Sequence, residues 1–132
     1  MFPGNLPRPL TRFIGREPEI ATILRTLAGD TSRMPSYDMD REDVVIRLVT
    51  ITGVGGSGKT RLAIEAARRM HSPGDSTEQS YPDGIWFVGL ASLSNPALID
   101  QEVASVFNLR QTPGSTIIET LIRDLQERKL LL

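Results

Sequence analysis

Apolar residues recur along this chain in two alternating rhythms. Ile20, Ile23, Leu24 and Leu27 repeat at helical spacing and predict a helix from about Gly15–Pro18 to Ala28. Pro18 suits its first turn, and Gly29-Asp30 can end it. Val44, Val45, Ile46, Leu48, Val49 and Ile51 then form a β-branched run broken only by Arg47. Such a run fits a strand covered on both faces. Helical spacing returns with Leu62, Ala63, Ala66, Ala67 and Met70, opposite Arg61, Glu65, Arg68 and Arg69. Ile85-Trp86-Phe87-Val88 predicts a short strand, with Trp86 and Phe87 read as core residues. Asn95-Pro96 is a cap followed by a first-turn proline, and Leu98, Ile99, Val103, Val106 and Phe107 continue as an amphipathic helix. Thr116 with Glu119 is a capping-box pattern before the stripe Ile117, Ile118, Leu121, Ile122 and Leu125. Leu130-Leu131-Leu132 resembles the start of another buried strand.

Polar and proline-rich stretches punctuate these elements. Pro3, Pro7 and Pro9 make residues 1–14 an extended N-terminal arm. Residues 30–43 read as a flexible surface loop whose Asp38, Asp40, Glu42 and Asp43 are solubilising, and 71–82 as a second polar loop. Alternating strands and helices predict an α/β fold of three layers with a parallel sheet. Two whole strands and the beginning of a third make that sheet incomplete, so residues 15–132 are expected to be the N-terminal part of the domain.

One motif interrupts the pattern with chemistry. Gly53-Val54-Gly55-Gly56-Ser57-Gly58-Lys59-Thr60 is a complete G-x-x-x-x-G-K-[ST] phosphate-binding loop, set between the apolar run 44–52 and the helical run 61–70. Glycines let the backbone curl around phosphates with its N–H groups inward. The following helix start, with its unpaired N–H groups and macrodipole, favours anions. Lys59 is expected to reach the β- and γ-phosphates, and Thr60 to offer its hydroxyl to Mg²⁺. The fold expectation is therefore a P-loop NTPase fold, and the ligand expectation is ATP or ADP with Mg²⁺.

Composition narrows the rest. The 132 residues are 39% hydrophobic, enough for one modest core. Fifteen basic and sixteen acidic side chains nearly cancel, so no global field argues for direct nucleic-acid binding. There is no cysteine, which removes disulfides and thiolate metal sites, and the single His71 makes no triad or metal cluster. No run approaches the ~18 apolar residues of a membrane helix, and no secretory leader is evident, so a cytoplasmic protein is expected.

The stretch Asn5-Leu6-Pro7-Arg8-Pro9-Leu10-Thr11-Arg12-Phe13-Ile14-Gly15-Arg16-Glu17 resembles the entry of STAND-class (NB-ARC-like) signal-transduction ATPases, including large bacterial ATP-binding transcription regulators. Val49-Thr50-Ile51-Thr52, Arg61-Leu62-Ala63 and Gly84-Ile85-Trp86-Phe87-Val88-Gly89-Leu90-Ala91 are similar to that family too. The resemblance spans about Asn5 to Leu132. It implies that Ile14, Gly15 and Arg16 lie beside the adenine and that Arg61 joins the loop in holding the nucleotide. Phe13 and Ile14 equally read as residues that staple the first helix to the domain. It further implies a switch between ADP-bound and ATP-bound states, other domains of a longer protein as partners, and nucleotide-dependent self-association. The family's acidic Walker B motif is absent, so poor hydrolysis and marginal stability of the isolated chain are expected. A catalytic P-loop enzyme, such as a small-molecule kinase or motor-type ATPase, is the alternative, and a pure interaction domain is a third.

Overall fold

The structure, a computed structural model, describes residues 3–28, 46–70 and 81–132. Among these lie four α-helices: α1 (Glu17–Leu27), α2 (Lys59–Met70), α3 (Ile99–Val106) and α4 (Ile117–Leu125). A 3-10 turn, Pro96–Leu98, leads into α3. The expected ends at Gly29-Asp30, the acidic loop 30–43, Val44-Val45, and the segment 71–80 with His71 lie outside the described residues.

The expected three-layer α/β P-loop NTPase fold, with its parallel sheet, is not formed among the described residues. Among the described residues, β pairing is limited to two isolated parallel bridges, Gly4 with Ile85 and Ile85 with Leu131. Residues 46–52 belong to no strand. The hydrogen bonds give the physical reason. A ladder needs successive backbone rungs, and here side chains occupy the places where rungs would continue. Beyond the Gly4 bridge, the Asn5 amide closes on Phe87: Phe87 N donates to Asn5 Oδ1 at 2.6 Å, and Asn5 Nδ2 donates to Phe87 O at 2.9 Å. Before the Leu131 bridge, Lys129 N donates to the Asp83 carboxylate at 2.7 Å. Composition and alternation identified strand-like sequence, but ladder partners for 46–52 are lacking among the described residues.

The chain divides into two compact units, residues 9–72 and residues 1–8 with 73–132. In the first, α1 packs on α2 around buried Ile20, Leu62 and Ala66. Phe13, Ile23, Leu24 and Ile51 press against this cluster, so the 46–52 run still contributes to the core through Ile51. Ion pairs reinforce the same helices. Arg69 Nε meets Glu65 at 3.0 Å, and both Arg69 Nη atoms bond the Glu17 carboxylate. Those bonds hold the exposed Glu17 carboxyl below its ordinary range and raise the Arg69 guanidinium.

In the second unit, Ile85, Ala104 and Phe107 are buried. Trp86 packs against Phe107 with ring centroids 4.9 Å apart and planes tilted by 49°, and donates its indole N–H to Asp83 O at 2.9 Å. The predicted caps are in place. Asn95 Oδ1 accepts from Ala97 N at 3.0 Å. Thr116 Oγ1 accepts from Glu119 N at 3.2 Å, while Glu119 Oε2 accepts from Thr116 N at 2.7 Å. This is the reciprocal capping box. The apolar stripe of α4 is narrower than its periodicity predicts, because Ile118 and Ile122 are exposed.

Candidate functional site

The phosphate-loop residues sit at the start of α2 as a glycine-rich turn. Ser57 N donates to Val54 O at 3.3 Å, and Leu62 N donates to Gly58 O at 2.9 Å. The second bond makes Gly58 the cap of α2. The N–H groups of Lys59, Thr60 and Arg61 therefore have no intrahelical acceptor, as at any helix start. Gly56 and Gly58 have φ of 75° and 79°, which side chains with a Cβ adopt at a cost. A Cβ at either would meet nothing within 4 Å, so the backbone dihedral, not crowding within the chain, requires glycine there. Gly55 carries neither constraint. Val54 projects from the turn, 78% exposed.

Lys59 bends back over its own loop. Its ammonium donates to Gly53 O at 2.9 Å and Val54 O at 2.8 Å. Two carbonyl dipoles thus hold a positive charge beside the helix start, where the macrodipole adds to it. Thr60 is exposed in the first turn of α2.

The Ile14-Gly15-Arg16 stretch comes to this turn through Arg16. Its Nη1 donates to Ser57 O at 2.9 Å, and its Nε donates to Glu19 Oε1 at 3.1 Å. Arg16 is also the cap residue of α1, in the left-handed region with φ 60° and ψ 29°. Glu19 is held below the ordinary carboxylate range, first by a backbone N–H and then by Arg16. Ile14 is 85% exposed, whereas Phe13 is half-buried against the helix pair. Phe13 therefore does the stapling and Ile14 does not.

Arg61 is placed differently from the other site residues. Its Nη2 donates to Thr11 O at 3.0 Å, Thr11 Oγ1 at 2.7 Å and Arg12 O at 2.8 Å. Its Cζ lies 5.7 Å from the centre of the Phe13 ring. Thr11, Arg12 and Glu19 are participants that sequence reasoning missed. Thr11 lies fifty residues before Arg61, and no periodicity reports such a pairing.

The chain is a distant homologue of mycobacterial proteins. Proteins named "Putative HTH-type transcriptional regulator", from Mycobacterium tuberculosis and Mycobacterium bovis, are 34% identical over 86 residues. That region is 65% of this chain and 9% of each relative. A protein of Mycobacterium bovis named "Uncharacterized protein" is 28% identical over 125 residues, 95% of this chain and 26% of its own length. The chain thus spans no more than about a quarter of the length of these relatives. No family model matches it, and no solved structure matches it.

Proposed function

We propose that this chain supplies the adenine-nucleotide-binding segment of a regulatory switch within a transcriptional regulator. One observation carries the reading: the Lys59 ammonium and the unpaired start of α2 meet at a turn bent by Gly56 and Gly58. That combination suits a polyphosphate, which needs backbone N–H groups, a point charge and no obstructing side chains. The similarity to proteins named as transcriptional regulators supports the regulatory half.

In this reading Gly53 to Thr60 hold the phosphates, with Lys59 turning from its two carbonyls to the β- and γ-oxygens. Ile14, Gly15 and Arg16 border the nucleoside. Among the described residues no three acidic or histidine side chains converge on a metal. In the same reading the Thr60 hydroxyl is the protein's ligand for Mg²⁺, with phosphate oxygens and water completing the shell. The ion would neutralise the phosphate charge that Lys59 alone leaves over. Longer relatives carry most of their length outside this region, so the effector and signal-sensing parts belong there.

The test is titration of the chain with ATP and ADP, with and without Mg²⁺, against Lys59→Ala. Saturable binding weakened by about 1.5–3 kcal/mol in the variant is expected for the loss of a charge-assisted contact. Wild-type protein that shows no saturable binding sinks the reading. Unchanged affinity in Lys59→Ala removes Lys59 from the site.

A further inference from the structure

Arg61 directly follows Thr60, yet its side chain serves residues far back in the sequence. One nitrogen faces two carbonyls and a hydroxyl from Thr11 and Arg12, and the guanidinium lies over Phe13. Phe13 in turn packs against the Ile20, Leu62 and Ala66 core. A few residues later Arg16 bonds Ser57 O. The stretch 11–16 is therefore fastened at both ends to the loop and helix that carry the phosphate motif. Between the fastenings Ile14 is left 85% exposed.

We infer that Arg61 is a positioning residue for nucleoside recognition, resting on the nucleotide reading above. It takes no phosphate; it holds residues 11–16 in register beside the loop. A segment ordered before the ligand arrives spares the ligand the entropic cost of ordering it. Arginine suits the task because its long, planar head brings one nitrogen to three acceptors while the guanidinium lies over the Phe13 ring. Lysine supplies the charge without that geometry.

The discriminating experiment compares ATP with inorganic tripolyphosphate, which presents phosphates and no nucleoside. Both are titrated into wild type, Arg61→Ala, Arg61→Lys and Thr11→Val, with thermal melts on each. Arg61→Ala is expected to bind ATP about tenfold more weakly while tripolyphosphate changes less than about twofold. Arg61→Lys should show the same asymmetry, and Thr11→Val a smaller one in the same direction. Equal losses for both ligands, or no loss for either, overturn the inference, as does full recovery of ATP affinity in Arg61→Lys. Should Arg61→Ala melt below the assay temperature, the ratio in Thr11→Val decides in the same way. Wild type that binds neither ligand overturns instead the nucleotide reading itself.

Discussion

The Arg16 guanidinium donates to the Ser57 carbonyl across 2.9 Å, joining the residue that starts α1 to the turn that starts α2. That bond is made from a strained position, since Arg16 holds a left-handed conformation with φ 60°. Strain of this kind persists where surrounding bonds over-determine it. Here the Ser57 and Glu19 bonds do so.

The first prediction separates strain from bonding at Arg16. Arg16→Ala loses both bonds and keeps a Cβ at positive φ. Arg16→Gly loses the same bonds but relieves the backbone. Arg16→Gly should therefore be more stable than Arg16→Ala by about 1 kcal/mol in denaturant unfolding. Equal stabilities would show that the backbone at Arg16 is not strained.

A second prediction concerns close backbone approach. A Cβ at Gly84 would fall 2.2 Å from Pro3 O, and φ there is +100°. Gly84→Ala should push residues 3–5 off Ile85 and cost about 1–3 kcal/mol. Faster hydrogen exchange at the Ile85 and Phe87 amides, which bond Pro3 O and Asn5 Oδ1, reports the loss. Gly55→Ala, with open space around it, is the control and should leave stability within about 0.5 kcal/mol. Unaltered exchange in Gly84→Ala would contradict the packing described.

The helix pair offers a third. Leu62 is 2% exposed between Ile20 and Ala66. Leu62→Ala should destabilise residues 9–72 by about 2–5 kcal/mol, transfer and cavity together. Chemical denaturation followed by helical circular dichroism measures it. A cost under about 1 kcal/mol would mean that Leu62 lies outside the core.

The fourth is a pH dependence. Glu17 is held below its ordinary value of 4.5 chiefly by Arg69, and Glu19 below the same value by a backbone N–H and Arg16. A carboxyl with a lowered folded pKa stabilises the fold fully above the unfolded value. That contribution disappears as pH falls through the folded value. Thermal midpoints should thus be level above about pH 5 and fall below about pH 4.5. Glu17→Gln should narrow the gap between midpoints at neutral and acid pH. An identical gap in Glu17→Gln would remove the Glu17–Arg69 pair from the acid response.

Much of the local structure was legible in the residues, because local rules depend on neighbours a few positions apart. Pro18 marked the first turn of α1, the Thr116–Glu119 pair announced α4, and Asn95 was read correctly as a cap, although the turn it caps is 3-10 and precedes α3. The phosphate motif likewise places its turn at the head of α2. That the expected parallel sheet does not form among the described residues was not legible. The run 46–52 has strand composition, and composition says nothing of whether a partner stands alongside.

The amino-acid order alone determined where helices begin and where a glycine-rich turn lies, since these follow from dihedral limits and side-chain spacing. Tertiary structure alone decided that Arg61 reaches back to Thr11, that Arg16 reaches Ser57, and that Asn5 stands in for a strand at Phe87. Those pairings span 50, 41 and 82 positions. Contacts at such separations are fixed by how packed elements bring side chains together, which no periodicity in the chain encodes.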